Sequence, residues 1–249
     1  MVVLVTGASG FLGCHVLKRL AASGTLALGL GRNAERCNAL EAAGHRIIRH
    51  DLAQPLDGAL DPRLGKVERI IHCAALSAPF GRLQDFVAAN VTATQNLIDF
   101  ATRQGVSRFV HISSPSVCFA FRDQLGLTED MALPEPVNHY ARTKREADRI
   151  VLGAPEIHPV VLRPRGIYGA GDRALLPRLI KAAKSRPLPL FRGGRAAIDL
   201  THVDDVVDAV MVALAAPPEA EGEVFNVSGG EPLPVRRIAD EACARAGIT

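Results

Sequence analysis

Tyr140 and Lys144 stand four positions apart in a segment free of proline and glycine. On a helix that spacing sets a phenol and an ammonium on one face, where the cation favours the phenolate and tunes the phenol as a general acid or base. Far upstream, the run Thr6-Gly7-Ala8-Ser9-Gly10-Phe11-Leu12-Gly13 links a short apolar stretch to an apolar helical pattern. Glycines at a strand-to-helix turn leave backbone amides facing an anion. Gly7 makes the tight turn, Gly10 lets backbone approach a pyrophosphate, and Gly13 lets helix and strand pack closely. Ser9, Phe11 and Leu12 complete that cradle. A dinucleotide site combined with a proton-moving pair suggests redox chemistry on a carbonyl or alcohol.

The elements that position these residues read as βαβ units. Brief, nearly continuous apolar runs are predicted as strands over 2–5, 26–30, 46–50, 69–73, 108–113 and 159–163, each suited to burial on both faces of a parallel sheet. Amphipathic segments at 12–22, 34–43, 80–103 and 138–152 read as the helices between them. The fold expected is α/β, a Rossmann-type doubly wound parallel sheet with helices on both faces. After Arg163 the pattern changes, with Gly and Pro recurring and elements shortening. Residues 1–163 are therefore read as a dinucleotide-binding domain. Residues 164–249 are read as a small C-terminal substrate lobe, interleaved with the last elements of the first domain. In it, helices are placed at 175–184, 204–215 and 235–246 and strands at 198–203 and 224–227.

The end of the second strand carries Gly29-Leu30-Gly31-Arg32-Asn33, without the acid that bonds the adenosine ribose in NAD enzymes. Arg32 suits a 2′-phosphate, with Arg36 one turn later in support, which favours NADP(H) over NAD(H). Asp51 and Leu52 after the third strand fit the adenine edge. Ala74 and Ala75 after the fourth are small where backbone must approach the cofactor. His72 beside Cys73 is as consistent with a packed histidine as with a ligand contact, and no metal is expected.

Composition narrows the class. The chain has 249 residues, 48% of them hydrophobic, and a net charge of +3 from 29 basic and 26 acidic side chains without long basic runs, so nucleic acid is not an expected partner. No apolar stretch reaches the roughly 20 residues needed to span a bilayer, and Met1 runs straight into a strand, which points to the cytoplasm. Five scattered cysteines fit reduced thiols better than disulfides or zinc.

The chain resembles the extended short-chain dehydrogenase/reductase family, the group of NAD-dependent epimerases and dehydratases that also holds 3β-hydroxysteroid dehydrogenases. The resemblance runs along essentially the whole chain, in the glycine run, Ala74-Ala75, Asn90, Ser113-Ser114, Tyr140 with Lys144, Arg163-Pro164, Tyr168-Gly169 and Val203-Asp204-Asp205. It implies that Ser114 holds the substrate oxygen, with Ser113 and Ser116 as rivals, and that Tyr140 is the general acid/base. It further implies that Lys144 lowers the Tyr140 pKa and bonds the nicotinamide ribose. Asn90 and Pro164 join the cofactor residues on the same ground, as do Tyr140 and Lys144 themselves. Members generally run longer than this chain and often dimerise through their two long helices, so a homodimer and an incomplete substrate lobe are expected.

Departures from the sugar-nucleotide pattern direct the substrate choice. Where enzymes of that kind carry an Arg-Asp pair ahead of Val203-Asp204-Asp205, this chain has Ile198-Asp199, with Arg192 and Arg195 as possible substitutes. Cys118-Phe119-Ala120-Phe121 replaces a Tyr-Gly sequence and suggests an apolar wall. The 3β-hydroxysteroid dehydrogenase-like branch, including reductases of 2-alkyl-3-oxoalkanoates, is the nearest pattern, and a hydrophobic ketone or alcohol the expected substrate. A nucleotide-sugar 4-epimerase and a non-catalytic NADP-binding sensor are the alternatives. Pro115 and Ser116 stand where dehydratases carry acids, so dehydration is not expected.

Overall fold

The computed structural model describes residues 1–57 and 61–248. Its main sheet is built from β1 (Val2–Thr6), β2 (Leu26–Gly31), β3 (Arg46–Arg49), β4 (Arg69–His72), β5 (Arg108–Ile112), β6 (Pro159–Pro164) and β9 (Val224–Val227). Their order is β3-β2-β1-β4-β5-β6-β9, and the pairings from β3 through β6 all run parallel. The winding reverses between β1 and β4, so the ends of those two strands open the crevice where ligands of such sheets bind.

Around the sheet lie α1 (Phe11–Ala22), α2 (Ala34–Ala42), the single turn α3 (Asp61–Leu64), α4 (Leu83–Phe86), α5 (Ala93–Gln104) and α6 (His139–Leu152). Leu4, Leu28, Ile70 and Phe109 from the strands pack with Leu97 and Phe100 of α5 in one buried cluster. That continuous burial explains why the strands read as unbroken apolar runs.

The long helix expected over 80–103 differs in two ways. It starts at Leu83, because Gly81 at φ +154 leaves the helical path and Phe80 is exposed. A π-helical segment, Val87–Thr92, also joins α4 to α5. Such inserted turns break the 3.6-residue period and are frequent at functional sites. Cys73 and Ser113, expected within strands, follow the ends of β4 and β5 instead.

The remaining elements are β7 (Gly166–Tyr168), α7 (Leu176–Ser185), β8 (Ala197–His202), α8 (Val203–Ala215), β10 (Pro232–Pro234) and α9 (Val235–Arg245). Two compact units emerge, residues 1–163 with 207–226, and residues 164–206 with 227–249. The second holds a three-stranded sheet of order β10-β8-β7. β7 and β10, at three residues each, were not expected as strands because they are too short to carry an alternating pattern. No described helix is long and apolar enough to cross a membrane.

Candidate active site

At the end of β1 the chain turns through Gly7 at φ +66, where a Cβ would stand 2.7 Å from the Ala74 amide nitrogen. A Cβ on Gly13 would lie 2.3 Å from the Gly7 carbonyl oxygen, so α1 presses directly on the turn. Gly10 caps α1 without any side-chain hydrogen bond, which leaves the first-turn amides for another acceptor. A cavity of about 420 Å³ opens over this turn. The turn after β1, with Gly7, Ser9 and Gly10, is flanked there by Arg32, Asp51 and Leu52 after β2 and β3 on one side and by Ala74 and Ala75 after β4 on the other. A cradle that any side chain would fill, together with uncapped amides, fits a pyrophosphate.

Two guanidinium groups mark the far end. Arg32, more than half exposed, lies 3.4 Å from Asp51, a separation and exposure that make the pair weak. Arg36 donates to the Ser9 carbonyl at 3.0 Å, and the Asn33 side chain caps α2 by accepting from the Arg36 amide at 2.9 Å.

Chemistry of a different kind gathers on α6. Asn138 caps this helix by accepting from the Ala141 amide at 2.8 Å, and its amphipathic face turns Lys144 and Asp148 inward. The hydroxyls of Ser114 and Ser77 lie beside the Tyr140 phenol. Burial raises its pKa against the pull of these two hydroxyls, and the lowering by Lys144 that the resemblance implies is not among the causes, since the Lys144 head turns to His111 and the Ile112 carbonyl. Lys144 is only 2% exposed. Its Nζ donates to the Ile112 carbonyl at 2.8 Å and lies 3.2 Å from His111 Nε2. Burial brings the ammonium down to about 8, with Asp148 and Cys73 pulling the other way.

Asn90, from the π-helical segment, ties this region together. Its Oδ1 accepts from the Leu76 amide at 2.7 Å, while Nδ2 donates to the Leu76 carbonyl at 3.2 Å and to Thr143 Oγ1 at 3.0 Å. The loop after β4 is thereby locked to α6, one residue from Lys144. His72 is a core histidine. Its two nitrogens meet Thr6 Oγ1 at 2.7 Å and Thr94 Oγ1 at 3.0 Å, and burial holds it neutral.

Of the three candidate serines, Ser114 is the one beside the Tyr140 phenol, and its Oγ accepts from the Ser116 amide at 3.2 Å. Ser113 instead donates to Asp148 Oδ2 at 2.8 Å, and the buried Ser116 hydroxyl has no hydrogen-bond partner. Phe11, Leu12 and Gly13 form the first turn of α1 behind the cavity; Phe11 meets the His15 ring edge-on at 5.5 Å, and Leu12 is buried. Pro164 closes β6 and is grouped with the second unit. The expected apolar wall divides. Cys118 turns inward to within 3.9 Å of Arg163 Nη1, whereas Phe119 and Phe121 are 46% and 86% exposed and meet edge to face. In the second unit Asp199 accepts from the Gly229 amide at 2.8 Å, and Arg192 and Arg195 are exposed.

Ser77, His111 and Asp148 were not singled out from the sequence. Asp148 carries a usable signal, since it continues the Tyr140, Lys144 spacing by another four residues on the same helix face. Ser77 and His111 carry none, because only tertiary contacts bring them to α6.

The model of the NAD dependent epimerase/dehydratase family matches residues 3–228. The chain belongs to that family. It is 33% identical to the 2-alkyl-3-oxoalkanoate reductase of Stenotrophomonas maltophilia, over 99% of this chain and 76% of that protein. With the human sterol-4-alpha-carboxylate 3-dehydrogenase, decarboxylating, it shares 32% identity over 92% of this chain and 62% of the relative. Among solved structures it resembles UDP-glucuronic acid 4-epimerase from Bacillus cereus in complex with UDP-glucuronic acid and NAD. That likeness has a TM-score of 0.87 at 27% identity, covering 100% of this chain and 84% of the other. The protein is thus an NAD(P)-dependent enzyme of the extended short-chain dehydrogenase/reductase type.

Proposed function

We propose that this enzyme interconverts a ketone and a secondary alcohol on an apolar substrate of the 3-oxoalkanoate or 3-hydroxysteroid type, with a preference for NADP(H). The observation that carries the reading is the Tyr140 phenol, flanked by the Ser114 and Ser77 hydroxyls on the helix face that bears Lys144. The bound nicotinamide supplies hydride in reduction and takes it in oxidation. Tyr140 gives its proton to the carbonyl oxygen as negative charge develops there. Ser114 steadies that oxygen, and the Lys144 charge favours the phenolate left behind. Gly7, Ser9 and Gly10 hold the pyrophosphate, Arg32 with Arg36 the adenosine end, and Lys144 the nicotinamide ribose.

Two features support an apolar substrate. Phe119 and Phe121 lie exposed just beyond the Ser114 turn, and the named relatives at 32–33% identity are a 3-oxoalkanoate reductase and a sterol dehydrogenase. The epimerase reading draws on the likeness to the Bacillus cereus enzyme, but Ile198 stands where a phosphate-gripping arginine is expected. Oxidation of NADPH with 2-alkyl-3-oxoalkanoates or 3-oxosteroids, and none with UDP-sugars, is the expected result. Epimerisation of a UDP-sugar, or tight cofactor binding without turnover on any ketone, would replace it with the epimerase or the sensor. A homodimer working in the cytoplasm belongs to the same reading.

The cofactor preference is tested at Arg32. A charge-assisted bond to a 2′-phosphate contributes about 1.5–3 kcal/mol, so Arg32→Asp is expected to weaken NADPH binding by about tenfold to a hundredfold and NADH binding far less. Equal or better binding of NADH by the unaltered protein would sink the assignment.

The rate of ketone reduction carries its own signature in pH. Because the buried Lys144 ammonium gives up its proton at about 8, the rate should fall as pH rises through that value, with NADPH and ketone saturating. A rate that stays level through this window would remove the Lys144 charge from the mechanism.

A further inference from the structure

Behind Lys144 lies a buried polar cluster to which the proton transfer above gives no task. Asp148 sits one turn further along α6. Its Oδ2 accepts from Ser113 Oγ at 2.8 Å and from Arg163 Nη2 at 3.2 Å, so the residue just after β5 and the side chain from β6 jointly fix the carboxylate of α6. Its Oδ1, which has no hydrogen-bond partner, lies 3.4 Å from His111 Nε2, and that same nitrogen lies 3.2 Å from Lys144 Nζ. Lys144, His111, Asp148 and Arg163 are all buried. His111 Nδ1 has no hydrogen-bond partner, so the ring's polar contacts run through Nε2 alone.

One nitrogen therefore stands between an ammonium and a carboxylate, and it has room for one proton. With its lone pair free, Nε2 accepts an N–H from Lys144. With a proton in place, it donates to Asp148 Oδ1 and faces the amine of an uncharged Lys144. In the first arrangement the imidazole holds the Lys144 head between its own ring and the Ile112 carbonyl, with Asp148 as the nearest negative charge. Other titratable groups near Lys144 are His72 at the end of β4, Cys73 just after it, and Tyr140 on the same face of α6. None of these supplies a carboxylate.

We propose that Asp148, by its charge, and His111, by accepting an N–H from Nζ, are positioning residues that keep Lys144 in place and in its ammonium form. A carboxylate merely tying α6 to the sheet would leave the Lys144 proton indifferent to its charge. The inference rests on reading Lys144 as the charged partner of Tyr140, but its test reads Lys144 directly and needs neither cofactor nor substrate. In full-length protein labelled with ¹³C and ¹⁵N lysine, the Lys144 signal is identified by its loss in Lys144→Met and followed against pH.

Asp148→Asn is expected to make Lys144 lose its proton at lower pH, with an acid constant about tenfold larger, since an opposite charge at this range favours the charged form. Asp148→Glu should restore the unaltered titration. Removing one partner of a buried pair leaves Arg163 uncompensated. If Asp148→Asn does not fold, His111→Leu tests the other support, because it keeps the Asp148–Arg163 pair, deletes the Lys144 contact and should shift the titration the same way. A Lys144 titration unchanged in a folded Asp148→Asn or His111→Leu protein would overturn the proposal. A shift in either variant of a protein that reduces no ketone would uphold it and defeat the catalytic reading instead.

Discussion

Tyr140→Phe should reduce ketone about a hundredfold to ten-thousandfold more slowly than the unaltered enzyme, the contribution of a positioned general acid, because nothing else here takes its place. The ring stays and only the hydroxyl goes, so packing on α6 is retained. NADPH affinity, measured by fluorescence titration, should hold steady, since the glycine turn and the arginines of its far end are untouched. Ser114 and Ser77 would keep their hydroxyls but have no phenol to orient. Retained turnover would remove Tyr140 from the reaction; a matching loss of cofactor affinity would show that the phenol holds the cofactor rather than moving a proton.

Gly13→Ala is expected to harm both stability and cofactor binding. Its Cβ would stand 2.3 Å from the Gly7 carbonyl oxygen and 3.0 Å from the Ala8 nitrogen, and backbone atoms cannot swing aside as a flexible side chain could. Overpacking of this kind costs about 1–3 kcal/mol. In a chain of this size that corresponds to a thermal midpoint lower by about 2–12 °C. The backbone forced to move is the phosphate turn itself, so NADPH affinity should fall at least about tenfold. Gly24→Ala provides the contrast: at φ +72 it is strained, but nothing lies within 4 Å of the new methyl, so it should lose stability and leave cofactor affinity alone. Equal cofactor losses in both variants would mean that general destabilisation, not the turn, governs binding.

The parts of this site visible in the sequence are those encoded by local spacing. The three glycines between an apolar strand and an apolar helix define a turn with one sensible geometry. Tyr140 and Lys144 share a helix face by periodicity alone, and the near-continuous apolar runs of β1, β4 and β5 announce a sheet covered on both sides. What stayed hidden depends on contacts between distant residues. Asn90 is marked by the family resemblance as a cofactor residue, but its bonds to Leu76 and Thr143 emerge only with the π-helical turn. Ser77 gains its place from that clamp, and His111 resembles any strand residue until Lys144 and Asp148 meet it from α6. β7 and β10 escaped because three residues cannot display a period.

The burial of Lys144 has a consequence for the molecule as a whole. In the folded chain this ammonium gives up its proton at about 8, against an ordinary value of 10.5, so between those pH values the unfolded chain holds more protons than the folded one. Proton linkage then makes this group's contribution to folding grow more favourable as pH rises across the window. Over the same range the charge on which Tyr140 relies is disappearing. Alkali thus tightens the fold at this residue while it quiets the enzyme, so durability and activity have different optima, set apart by one buried side chain.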